Sequence, residues 1–240
     1  MSDADNTLAP TAFGAQQEAQ WISLSDLMTG LMMLFMLIAV AFMLKVQADA
    51  AKPKQLAVQY SEIRKELYND LNEAFRDKLP MWDAVLTQDL ILSFQGPEVL
   101  FDTGKTDLKL RFRQILQDFF QPYVQIITSP KYKASIQEIR IEGHTSSDWN
   151  GATGTDEAYF QNMELSQGRT RSTLRFVLKL PEVQKDIDWL RKNVTANGLS
   201  SSHLKAKPDG TEDADRSKRV EFRILTDAEA KIEKILEIAR

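Results

Sequence analysis

Hydrophobic and polar positions divide this chain into segments of different kinds. Between Leu27 and Leu44 no side chain is charged, and with Trp21 to Asp26 ahead of it the run reaches the roughly 20 residues that cross a bilayer as a helix. Residues 21–46 are therefore read as one transmembrane helix. Ala48-Asp49-Ala50 matches an A-x-A cleavage pattern, but a signal peptide has a basic leading region and an apolar core of only roughly 7 to 15 residues. Ahead of the span, residues 1–20 are polar and small, with scattered apolar positions and no Lys or Arg, and predict a disordered tail.

After the span, Leu56, Tyr60, Ile63, Leu67, Leu71 and Phe75 recur at steps of three and four in a charged background. This spacing predicts a helical linker over residues 47–80, ending near Pro80. So narrow a stripe suits a parallel helix pair or packing on a neighbour, and also a connector lying on its own domain. From residue 81 the periods alternate. Leu90 to Phe94 predict a strand, Gln95-Gly96-Pro97 a turn, and Val99 to Phe101 further extended chain. Phe112, Ile115, Leu116, Phe119, Val124 and Ile127 mark one helix face, and Leu165, Leu174, Val177 and Leu178 another. Ile139 and Ile141, then Val220, Phe222 and Ile224, alternate as half-buried strands do. Strand, helix, strand, helix, strand implies an α/β domain over residues 81–225, built as an α+β two-layer sandwich of helices on a sheet. Residues 226–240 read as a short charged helical tail.

Composition narrows the function classes. A formal net charge of -4 supplies no basic footprint for nucleic acid. The absence of cysteine excludes disulfides, a thiolate metal ligand, a Cys nucleophile and an acylated Cys anchor. Two histidines argue against a His-rich metal centre, so no metal is expected. No Ser-His-Asp arrangement or pair of acids suggests catalysis, so the chain is expected not to be an enzyme and to need no cofactor.

Asp26 is the sharpest single residue. A carboxylate at mid-helix in a membrane costs about 2.5 to 3.5 kcal/mol on insertion scales, and less near an end. It is either a helix cap, helped by Ser23 and Ser25, or a functional group. Trp21, then Asp26-Leu27-Met28-Thr29, then a Met- and Phe-rich run, resembles the MotB family of flagellar stator subunits. That resemblance implies that Asp26 is the ion-accepting residue of a channel shared with a MotA-type ring, relaying H⁺ or Na⁺, with Thr29 on the same face.

The second half is similar to the OmpA-like peptidoglycan-binding domain. The blocks that carry the resemblance are Val99 to Gly104, Ile141-Glu142-Gly143-His144-Thr145, Asn162 with Leu165-Ser166 and Arg169, and Arg219-Val220-Glu221. It implies that an acid and an arginine grip the ammonium and carboxylate of diaminopimelate in the wall's stem peptide, a charge-assisted and bidentate pairing. Arg169 takes the arginine role. The acid is in question, because Ser146 stands where that family carries Asp, and Asp148 is the nearest replacement. Asn162, Leu165 and Arg219 complete the expected site; Arg219 could equally be a strand residue satisfied by Glu142.

The acidic N-terminus without basic residues, the long loop after Thr145 and the missing Asp look more like the MotB-like subunit of Zorya anti-phage defence systems. The resemblance implies a homodimer in the bacterial inner membrane, working with a MotA/ZorA-like ring and bound to peptidoglycan. Lys45, Lys52 and Lys54 after the span favour a cytoplasmic C-terminus by the positive-inside rule. A wall-binding domain requires the reverse, with the N-terminus cytoplasmic and the domain periplasmic, and that orientation is the expectation. A flagellar or gliding stator and a passive peptidoglycan tether are the alternative readings.

Overall fold

A computed structural model describes the backbone of residues 12–152 and 154–227, and side chains at 25–47, 62–152 and 154–227. The chain forms two compact units, residues 1–56 and 57–240. Helix α1 (Ala12–Phe75) supplies the first unit and opens the second. It starts inside the segment expected to be a disordered tail, because Ala12 to Gln20 is rich in Ala, Gln and Glu, which lose little on entering a helix. The boundary expected between residues 46 and 47 likewise falls inside α1. Residues 1–11 and the expected tail beyond residue 227 lie outside the described residues.

In the first unit, Ser25–Gln47 is long and apolar enough to cross a membrane, with a mean hydropathy of 2.5. Its side chains are all exposed, including Leu27, Met32, Phe35 and Met36. An apolar surface this continuous requires lipid or protein against it.

The second unit is a five-stranded sheet in the order β1-β2-β5-β3-β4, with β1 (Ala84–Leu86), β2 (Ile91–Phe94), β3 (Ile136–His144), β4 (Val194–Gly198) and β5 (Arg219–Thr226). Neighbours pair antiparallel except β3 with β4, which are parallel and therefore need a crossover, here through α4 (Thr155–Val177) and α5 (Ile187–Asn193). One face of the sheet is apolar. The register aligns Ile139 with Ile224 and Ile141 with Phe222, and Phe222 with Leu92. Helix α3 (Leu110–Ile127) packs there with Phe112, Ile115, Leu116, Phe119 and Tyr123, the i, i+3, i+4 spacing read from the sequence. Phe222 touches the rings of Phe94, Phe119, Phe120 and Tyr123.

The apolar stripe of the expected linker belongs to this core, since Leu67, Leu71 and Phe75 are fully buried in it. The domain thus begins well before residue 81, because three large apolar side chains at the end of α1 cover what α3 leaves open. Asp70, on the same stretch, accepts a 2.5 Å hydrogen bond from Tyr132, which holds its carboxyl below the usual range. Tyr132→Phe should cost about 1 kcal/mol of stability at neutral pH. A folded-state pKa that is lowered gives stability present above the unfolded value and lost as pH falls through the folded one. The gap between wild type and variant in urea melts should therefore close in strong acid.

Two local expectations are corrected. Val99 and Leu100 are not extended; they lie in α2 (Pro97–Leu100), because Gly96 takes a left-handed turn at φ 72° and Pro97 is pre-set for a first helical position. Only Phe101 keeps a β-bridge, with Leu108. The long loop expected over residues 146–161 is cut short by α4, which starts at Thr155, with Asp156 and Glu157 in its first turn where the helix dipole favours acids.

Candidate ligand cleft and the acidic span

At the C-terminal end of β3 a narrow cleft opens between three elements. Pro97, Leu100 and Phe101 form one wall, Ser166 and Arg169 of α4 another, and Gly143, His144 and Lys218 to Val220 the floor. Its volume is about 10 Å³, room for a single water, so a larger group enters only by moving side chains.

Arg169 dominates it. Its planar guanidinium lies 4.8 Å from the centre of the Phe101 ring, Nε donates to the carbonyl of Lys105 (2.9 Å) and a terminal nitrogen to that of Asp102 (3.2 Å). Burial pushes its pKa down to about 10, still charged at neutral pH. Among the described residues these recorded partners are carbonyls and a π face, not carboxylates, so the cation keeps the capacity to meet an anion.

Arg219 lines the same cleft but is occupied. Its Nε donates to Oε1 of Glu221 at 2.6 Å, and a terminal nitrogen donates to the carbonyls of His203 and Ser217. Burial opposes ionisation of Glu221, yet His144 and the Arg219 guanidinium outweigh it and hold the carboxyl down to about 2. Glu142 pairs instead with Arg223 at 2.9 Å.

The other expected residues stand beside the cleft rather than in its lining. Ser146 is buried just past β3. Ser147 donates through its amide (3.0 Å) and its hydroxyl to the carboxylate of Glu212, which pins the turn. Asp148 is exposed, and its carbonyl accepts from Nδ2 of the buried Asn162 (3.1 Å). Leu165 is half-buried on α4. Sequence reasoning missed the Phe101 stack and the Glu212 clamp. Glu212 lies 65 residues from Ser147 in a stretch without periodic pattern, and only the folded chain brings them together.

In the first unit Asp26 is exposed at the start of the apolar span. Thr29 lies one turn on, on the same side, and its hydroxyl donates to the carbonyl of Ser25 at 2.7 Å. That proton is therefore committed to the helix, and Thr29 offers a neighbour only its lone pairs.

No family model matches the chain. The curated protein named Zorya protein ZorB from Escherichia coli strain Crooks is 44% identical over 223 residues, covering 92% of this chain and 94% of that protein. The chain belongs to the ZorB family of Zorya proteins. A second Zorya protein ZorB, from another Escherichia coli strain, is 28% identical over 85% of this chain and 79% of its own length. Over 71% of the chain the fold is similar to that of a MotB-like protein from Desulfovibrio vulgaris, with a TM-score of 0.52 and 22% identity, covering 99% of that protein. The fold class expected from sequence, a mixed α/β domain of the MotB-like kind with one N-terminal apolar helix, is therefore the observed one. The chain is thus a Zorya component with a MotB-like fold.

Proposed function

We propose that this chain is the stator subunit of an ion-driven inner-membrane motor in a Zorya anti-phage defence system, held to peptidoglycan by its second unit. The observation that carries the reading is Asp26, an ionisable group exposed on the only span-length apolar helix among the described residues. Ionisable groups in membrane spans persist where they relay ions or meet a partner. One span cannot enclose a channel, so a homodimer works inside a polytopic MotA/ZorA-like ring, and Asp26 passes H⁺ or Na⁺ along the shared helix interface. Thr29 lies on that interface. The N-terminus is cytoplasmic and the second unit periplasmic. The chain carries out no bond-making chemistry and takes no cofactor; the ion is cargo.

At the wall, Arg169 receives the carboxylate of a diaminopimelate stem peptide, with its side chain already flattened on Phe101. The ligand's ammonium group is met at the turn of Ser146 and Asp148, where Glu212 supplies a second carboxylate; Asn162, Leu165 and Arg219 shape the surroundings. Arg169→Ala should reduce co-sedimentation of the full-length protein with purified sacculi by about tenfold or more, the worth of a charge-assisted contact. Arg169→Lys should recover little, since an ammonium cannot make the paired contact. Both should keep the wild-type circular dichroism spectrum. Undiminished sedimentation of Arg169→Ala would remove the wall-binding assignment. A reporter fused after Arg240 tests orientation separately; activity on the cytosolic side would overturn the whole arrangement.

A further inference from the structure

The chain's two histidines meet on the polar face of the sheet. His144 ends β3, His203 lies in the loop that leads to β5, and their ring centres are 6.0 Å apart. Glu142 and Glu221 face each other across the β3–β5 pair, and Nε2 of His144 lies 3.3 Å from Oε2 of Glu221. One carboxylate oxygen from each glutamate and one nitrogen of His144 all lie within 4.8 Å of one another. All three residues are buried, at 5%, 3% and 4% exposure for Glu142, His144 and Glu221.

Paired acids alone would carry little, because buried carboxylates beside arginines are common structural furniture. The imidazole is the independent observation. Its side chain is 1% exposed, yet Nδ1 has no hydrogen-bond partner, and Nε2 lies 3.3 Å from Oε2 of Glu221. A buried polar group left in this state costs about 1 to 3 kcal/mol, and a bound cation would satisfy it. We propose that Glu142, His144 and Glu221 hold a divalent transition-metal ion, zinc foremost, with His203 as the fourth ligand.

The donor set suits a divalent transition-metal ion better than a hard cation. Two imidazoles with two carboxylates make a four-donor tetrahedral zinc set, with metal–ligand bonds of about 2.0 to 2.2 Å, whereas calcium and magnesium favour oxygen alone. The outer support is already built. Arg219 grips Oε1 of Glu221 and Arg223 grips Oε2 of Glu142, while Oε2 of Glu221 lies 3.3 Å from His144 and 3.7 Å from a terminal nitrogen of Arg223. Ligating carboxylates are held in this way by partners behind them. The two arginines offset the two acids, so the added charge must be tolerated. The side chain of Arg223 is 34% exposed and solvated, and Arg219 also donates to two carbonyls. The ion would tie the loop bearing His203 to the end of the sheet, directly behind the cleft that His144 and Arg219 line.

The site goes beyond wall binding and stands or falls without it. Tag-free full-length protein in detergent is stripped with a chelator, loaded with Zn²⁺, desalted and assayed by elemental mass spectrometry. Wild type is expected to retain one zinc per chain and to melt several degrees higher with zinc than without. His203→Ala, an exposed position, should lower zinc affinity by at least about tenfold and abolish the thermal shift, and His144→Gln should retain none. Wild type that loses its zinc on desalting overturns the proposal, as does either variant binding zinc as wild type does. If His144→Gln fails to fold, His203→Ala and the wild-type stoichiometry decide the matter.

Discussion

Asp26→Asn should abolish phage protection while leaving the protein inserted, associated with its ring partner and bound to sacculi. Asparagine keeps the size and hydrogen-bonding shape of the side chain but cannot gain or lose charge, so any step that requires a titratable or cation-holding carboxylate stops. The driving force lost is substantial, because each elementary charge crossing a membrane supplies about 2.3 kcal/mol per 100 mV. Nothing in the apolar stretch beyond it can replace it. Between Asp26 and Lys45 no other residue is ionisable, and the Thr29 hydroxyl proton is held by the carbonyl of Ser25. The measurement is plaquing efficiency on cells carrying the complete defence system with either form of the chain. Membrane levels and cross-linking to the ring partner are followed in parallel. Protection is expected to fall to that of cells without the system, with levels and cross-linking unchanged, and Asp26→Glu should restore part of it. Full protection by Asp26→Asn would leave a passive tether as the better description.

The same contrast shows what the sequence could express. The span was legible because lipid imposes one rule on every position between Leu27 and Leu44, and no folded partner is needed to interpret it. Helix α3 and strands β3 and β5 were legible for a related reason, since one face of each is committed to a single core and the period follows directly. Strand β4 gave no such signal. Of Val194-Thr195-Ala196-Asn197-Gly198, only Val194, Ala196 and Gly198 share the face aligned with Ile139, Ile141 and Gly143, and at Gly198 the helix comes so close that no side chain fits. Helix α4 conceals itself in the same way, burying Ser166, Thr170 and Thr173 where an amphipathic reading seeks leucines. At the cleft, Arg169 could be named from a local motif, but its Phe101 platform and the Glu212 clamp are contacts across 64 to 68 residues of chain. Phe101 itself reads from sequence as an apolar extended position, and only the helical turn of α2 before it sets its ring under the guanidinium.

That close approach gives the largest expected effect on stability. Gly143 and Gly198 are partners in the parallel β3–β4 register, and together they form a notch that seats α4. A Cβ on Gly198 would lie 2.4 Å from the amide nitrogen of Gln167 and 2.7 Å from its Cα, backbone atoms that no side-chain rotation can move aside. The amide of Gly198 also donates to the Gln167 side chain at 2.7 Å, so the helix and strand are tied where they are tightest. Gly198→Ala must therefore push α4 off the sheet, at an expected cost of about 3 kcal/mol, the upper part of the usual range for overpacking. Gly154→Ala is the matched control at the other end of the same helix system. Its Cβ would meet nothing within 4 Å and its backbone is extended, so its cost should be only that of exchanging Gly for Ala at an N-cap, about 0.5 to 1 kcal/mol. Chemical denaturation of the two variants measures the difference. Displacement of α4 also carries Arg169, two residues beyond Gln167, away from the carbonyls of Asp102 and Lys105. Gly198→Ala should consequently lose sacculus binding even at temperatures where it remains folded, whereas Gly154→Ala should keep it. Equal stability of the two variants would mean that the sheet yields to the helix, and the notch would then have no part in placing the arginine.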